Sequence, residues 1–151
     1  MNTYLLAYNP KRWQWTDLKQ MSLEVRSGKI VSDRWGTGSS RKIRKGDRFF
    51  MIQLGEQPKG IFASGNTTCD CYQDIHWDQE KIALGEPANY VQIQYDVLLD
   101  PKTNSILPRE ILNHPPLSKM RWDTRMSGIQ IPDEVAVELE ALWKTSIKQN
   151  R

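Results

Sequence analysis

The sequence predicts an α+β fold: a strongly curved sheet of about five or six short strands, or a small barrel, with flanking helices near each end. Three observations predict it. Tyr90 to Leu99 alternates Val91, Ile93 and Tyr95 with Gln92, Gln94 and Asp96, the period of a half-buried strand. Phe49 to Leu54 is apolar nearly throughout, as in a strand buried on both faces. Leu18, Met21 and Val25, and later Val135, Leu139, Leu142 and Trp143, recur at helical spacing.

Thr3 to Tyr8 reads as a central first strand, ended by the turn pair Asn9-Pro10. Thr16 is placed to cap a helix from Asp17 to Arg26, and Asp17 suits the positive end of its dipole. Ser27-Gly28 stops that helix. Lys29 to Arg34 reads as a short strand leading to a Gly-rich, basic rim that carries Trp35 as an exposed side chain. Lys45-Gly46-Asp47 is a turn, with Asp47 as its stabilising residue. Phe49 to Leu54 and Gly60 to Ala63 are strands joined by a turn containing Gly55 and Pro58. Ser64 to Leu84 is mostly polar and reads as loop.

After the strand ending at Leu99, Asp100 to Asn104 is a turn, and Ile106 to Pro108 opens another element. Arg109 to Leu112 suits a helical turn, and Asn113-His114-Pro115-Pro116 breaks the chain. Met120 to Trp122 and Gly128 to Ile131 flank a polar loop, Asp123 to Ser127. Pro132 starts the last helix at its first position, and the polar tail after Lys144 is expected to fray. With no repeat, low-complexity tract or linker, the reading is a single domain over 1–151.

Composition narrows the function classes. The chain has 151 residues, 38% apolar and 26% charged, as an ordinary globular protein does. A net charge of +3 means that any nucleic-acid contact must come from a local patch. Arg34, Arg41, Lys42, Arg44, Lys45 and Arg48 crowd into the rim around Trp35, which suits a polyanion carrying a flat group. Cys69 and Cys71 lie too close in sequence for an unstrained bridge, so free thiols in a reducing cytoplasm are expected. The N-terminus does not read as a signal peptide, and no apolar run is long enough to span a membrane.

Chemistry is sparse. Cys69, Cys71 and His76 lack the spacing and the fourth ligand of a zinc site, so no metal and no cofactor is expected. His76, Asn113 and His114 supply the letters of an HNH nuclease but lie on separate loops. There is no nucleophile elbow and no P-loop, and the reading is a non-enzyme. A hydrolase acting through Asp47, His76 or His114 is the weaker alternative. The six tryptophans carry more information. Trp143 belongs to the core face of the last helix, and Trp77 suits packing or a lid. One of Trp13 and Trp15 should point inward and the other out. Trp35 and Trp122 each follow an arginine, in RWGTG and RWDTRMSG. They either plug the two ends of a barrel or face each other across a pocket.

In order, the chain shows a first strand ending in Asn9-Pro10 with Trp13 after it, Arg34-Trp35-x-Thr37-Gly38, and basic-Lys45-Gly46-Asp47. The string PKGIFASG (Pro58 to Gly65) and His76-Trp77-Asp78 come next. YVQIQYDVLLDP (Tyr90 to Pro101), ILPRE (Ile106 to Glu110) and Trp122-x-Thr124-x-x-Ser127-Gly128 precede the final helix. Over about Tyr4 to Trp143 this resembles the EVE-like domain of the PUA-like superfamily, related to YTH domains. The version in question stands at the N-terminus of modification-dependent HNH restriction endonucleases.

The resemblance implies a PUA-like curved sheet that reads a modified nucleobase in double-stranded DNA, flipped into an aromatic cage. A modified cytosine, such as 5-methyl- or 5-hydroxymethylcytosine, is favoured. An RNA-binding PUA-like module reading a modified or unpaired base is the alternative. Trp35 matches the first cage wall and Trp122 the second. Tyr8, Asn9 and Trp13 or Trp15 line the pocket, and Thr37, Ser39, Asp123, Thr124 and Ser127 offer polar partners. Arg34, Arg41, Lys42, Arg44, Lys45, Arg121, Arg125, Lys11 and Arg12 would hold phosphates. The chain carries no HNH module, so cleavage is not implied: either this is an excised domain, or a stand-alone reader for which a nuclease or translocase on another chain acts as effector.

Overall fold

The computed structural model describes residues 1–149. Its centre is a mixed, open sheet of eight strands in the order β2-β6-β4-β3-β1-β8, with β5 added to β6 and β7 to β4. The strands are β1 (Thr3–Tyr8), β2 (Ser32–Gly38), β3 (Arg48–Gln53), β4 (Gly60–Thr67), β5 (Tyr72–Ile75), β6 (Pro87–Leu98), β7 (Leu107–Pro108) and β8 (Ile129–Ile131). Three helices flank them: α1 (Leu18–Arg26), α2 (Gln79–Ala83) and α3 (Asp133–Gln149). β1 runs parallel to β3, and the other pairings are antiparallel.

β3 is the buried spine. Phe49, Phe50, Met51 and Ile52 are each 1% exposed or less, because β1 and β4 cover both of its edges and side chains cover both faces. Its alternation sorts the aromatics. Phe49 meets Tyr95 edge-on, and Phe50 meets Trp143 of α3 edge-on. Trp143 is buried, as its place on the apolar face of α3 predicts, and its indole N–H donates to Ser64 Oγ.

Several expectations are corrected. The sheet has eight strands, because short β5, β7 and β8 add to β6, β4 and β1. Trp35 is not an exposed rim side chain: it lies within β2, paired with Val91 and 9% exposed. Ser64 to Leu84 is not mostly loop, since β4 continues to Thr67 and β5 and α2 follow. The N-cap of α1 is Asp17, not Thr16, and it makes no side-chain capping bond. The polar tail does not fray after Lys144: α3 continues to Gln149, with Ile147 packed on the core. Residues 150 and 151 lie outside the described residues. Asp47 does hold its turn, accepting from the backbone N–H of Asn2 and of Arg44.

Candidate nucleic-acid interface

The end of β1, the segment after it and the middle of β2 bring four aromatic rings together. Tyr8 is the last residue of β1, and Trp35 faces it across the sheet end at 6.3 Å between centroids. The Asn9 turn, closed by Arg12 N–H donating to Asn9 O, returns the chain over this spot. It places Trp13 and Trp15 5.3–5.5 Å from Trp35. Trp13 and Trp15 stack on each other, 5.4 Å apart with planes 27° apart. Beneath them, Phe62 and Tyr95 close the floor.

The cluster is graded from rigid to free. Trp15 is 7% exposed and its N–H donates to Met21 Sδ of α1, whereas Trp13 is 47% exposed. One points inward and one outward, as expected of the pair, although their spacing alone does not say which. Tyr8 Oη donates to the Trp13 carbonyl at 3.2 Å, holding the returning segment to the end of β1. Burial pushes the Tyr8 phenol up. Burial also raises Tyr95, whose hydroxyl donates to Asp33 Oδ2, and burial raises the Asp33 carboxyl in turn.

The polar wall comes from two loops pressed together. Ser127 Oγ lies 2.8 Å from Ala7 N and accepts its N–H, fixing the late loop to the end of β1. Gly38 has a φ of +62°, and a Cβ there would stand 2.8 Å from the Ser127 carbonyl. Gly128, with a φ of +83°, abuts the Thr37 carbonyl so closely that a side chain would collide with it. Asn89 of β6 donates to Gly38 O and extends this rim.

Not every predicted site residue joins. Trp122 is 1% exposed, and its N–H donates to Leu117 O at 2.8 Å. It is a core side chain with no face open to a base, so it is not the wall opposite Trp35. Asp123 is held by Arg109, whose Nε and Nη2 donate to its two oxygens, and this holds its carboxyl below the usual range. Thr124 bonds to Met126 within its own loop. Thr37 is fully buried and its hydroxyl donates to Ser40 O. Asn9 Oδ1 accepts from Lys11 N, and the side chain packs against Gly55.

The basic set divides as well. Arg41, Lys42, Arg44 and Lys45 are exposed on the segment between β2 and β3, and Lys11 and Arg12 are exposed beside Trp13. Arg121 and Arg125 are exposed on the late loop. Arg48 is no rim residue: its guanidinium binds Glu140 at 2.7 Å and Asp96 at 2.8 Å. Arg34 lies over the Tyr90 ring at 3.9 Å and pairs with Asp74. A groove of about 250 Å³ lined by Arg48, Ser64, Asp96, Glu140 and Trp143 lies apart from the four-ring cluster. Sequence reasoning placed the floor on Phe49 to Leu54 and Gly60 to Ala63, which includes Phe62, and missed Tyr95. The signal for Tyr95 was the alternation of β6.

Nine solved chains match this fold. Human THYN1, solved in complex with 5-methylcytosine-containing DNA, superposes with a TM-score of 0.66 at 15% identity, covering 95% of this chain and 98% of that one. The chain has the EVE-like, PUA-like fold. A hypothetical protein from Leishmania major gives a TM-score of 0.69 at 14% identity, covering 100% of this chain and 98% of its own. A protein from Pseudomonas syringae gives 0.64 at 18% identity, covering 93% and 98%. No family model and no curated protein matches. No helix among the described residues is long and apolar enough to cross a membrane.

Proposed function

We propose that this EVE-like fold acts as a single, non-catalytic reader of a modified cytosine in double-stranded DNA. The observation that carries the reading is the stacked pair Trp13 and Trp15, one ring half-exposed and the other fixed in the core. The base enters between them. Separation of the rings to about 7 Å admits one aromatic layer at carbon contact on both faces. Trp15 stays anchored through Met21, and Trp13 moves with its exposed segment. Trp35 closes the back edge of the slot, and Tyr8 and Ser127 stand at the end of β1 beside it.

Flipping a base out of the duplex costs a few kcal/mol. Stacking on each aromatic face returns roughly 1–3 kcal/mol. Two faces therefore offset the flip and leave the discrimination to the modification. A buried methyl contributes about 1–3 kcal/mol of preference. Arg41, Lys42, Arg44, Lys45, Lys11 and Arg12 hold phosphates outside the slot. The match to a protein solved with 5-methylcytosine DNA supports DNA as the ligand. The chain then serves as the recognition part of a modification-dependent restriction or defence system in the cytoplasm, with a nuclease or translocase on another chain as effector.

The test is a binding panel: matched duplexes with cytosine, 5-methylcytosine or 5-hydroxymethylcytosine, and the corresponding RNA. The expected result is a clear preference for one modified duplex over the plain one. Equal affinity across the DNA set would overturn the reading, and tighter binding to RNA would move it to a modified RNA base.

A further inference from the structure

We propose that the arm formed by β5, α2 and the start of β6 docks an extended, basic and apolar segment of a partner protein. This is independent of the base-reading site. Ile75, Trp77, Ile82 and Leu84 are 68%, 61%, 38% and 71% exposed, four of the ten large apolar side chains that the described residues expose, all within ten positions. Trp77, which the sequence places in packing or a lid, lies with its ring 5.4 Å from that of His76, the planes 35° apart. Exposed apolar side chains concentrated in this way mark an interaction surface.

Two further features identify the occupant. β5 pairs with β6 alone among the described strands, so its outer edge carries backbone groups with no ladder. Such an edge accepts an added strand. The charge of the arm is acidic: from Asp70 to Glu86 there are five acids, Asp70, Asp74, Asp78, Glu80 and Glu86, against one base, Lys81. Arg34 and Lys81 each engage one of these acids, and Asp70 accepts from Lys45 N–H, which leaves Glu80 exposed on α2 and Asp78 bonded only to that helix's own N-terminus. Acidic groups repel phosphates, so this surface disfavours nucleic acid and favours a basic polypeptide. The apolar side chains add what charge alone does not: a preference for a basic segment with apolar residues at alternate positions, the spacing of a strand.

The probe is a labelled ten-residue peptide of alternating Lys and Leu, titrated against the full chain. Its controls are Lys–Ser and Glu–Leu peptides and a Lys–Leu peptide N-methylated at alternate amides. The expected result is saturable binding of the Lys–Leu peptide, at least tenfold weaker for every control. The variants Ile75→Ser with Leu84→Ser, and Glu80→Lys with Glu86→Lys, should each weaken it tenfold or more while the circular dichroism spectrum stays unchanged. Their binding to modified duplex should also stay unchanged. Equal binding of the Lys–Ser peptide, indifference to N-methylation or no effect of the arm variants would overturn the proposal. So would loss of duplex binding in those variants, which would assign the arm to nucleic acid instead.

Discussion

Trp13 lies on Trp15 with ring centroids 5.4 Å apart and planes 27° apart, a half-exposed indole laid on a buried one. Offset-stacked pairs of this kind contribute about 0.5–1.5 kcal/mol beyond the area they bury. The outer ring is thus held weakly enough to open, while the inner one is locked by the core and by Met21. Trp13→Ala should leave the fold nearly as stable, with a loss of about 1 kcal/mol. It should reduce affinity for the modified duplex by roughly 5- to 150-fold, because one stacking face is gone. Paired thermal melts and duplex titrations check both halves, and an unchanged affinity would remove Trp13 from the slot.

Trp122 behaves in the opposite way. Its indole is buried and its N–H is satisfied by Leu117 O. Trp122→Phe keeps most of the volume but strands that carbonyl, a loss of about 1–3 kcal/mol. Modified-base preference should be untouched at a temperature where the variant is folded. Chemical denaturation and the same duplex panel read the two effects separately.

The cations also separate. Arg41→Ala or Lys42→Ala should weaken binding to plain and modified duplexes alike. Each lost phosphate contact should flatten the log–log salt dependence by about 0.9. Arg48→Ala should leave that slope alone and destabilise the fold instead, by about 1.5–3 kcal/mol, since it removes charge-assisted hydrogen bonds from a largely buried guanidinium to Glu140 and Asp96, which stay open to water. Salt titrations of all three variants distinguish the roles.

Much of this arrangement was legible in the sequence where a period is strong. β6, α1 and α3 each show one, β1 and β3 show unbroken apolar runs, and their cores follow from these patterns. β2 was read short because Gly36 and Gly38 and the flanking charges look like loop. Its ladder comes from β6, and Gly36 lies close to the Asn89 carbonyl, a relation no local pattern carries. β5 and α2 were missed because they bury little and leave no apolar period. Trp122 misled for a related reason. Arg121 and Asp123 flank it like a surface residue, but the 3₁₀ turn at Leu117–Lys119 supplies both the carbonyl and the cover that take it inside.

A polar pair, Tyr95 and Asp33, lies below the aromatic cluster. Tyr95 donates to Asp33 at 3.1 Å, and burial raises the Asp33 carboxyl above its ordinary value. A raised carboxyl binds its proton more tightly in the folded state than in the unfolded one. The stability from that proton is fully present below the unfolded value, about 3.9, and is lost as pH rises through the folded value. Asp33→Asn keeps an oxygen to accept from Tyr95 and removes the charge. The variant should therefore melt higher than the parent at pH 7, and the gap should close as pH falls to about 3.5, below the unfolded carboxyl value. Melting curves of both proteins from pH 3 to pH 8 check this. A gap that widens on acidification would mean that Asp33 is stabilised as the anion, with the Tyr95 hydroxyl outweighing its burial.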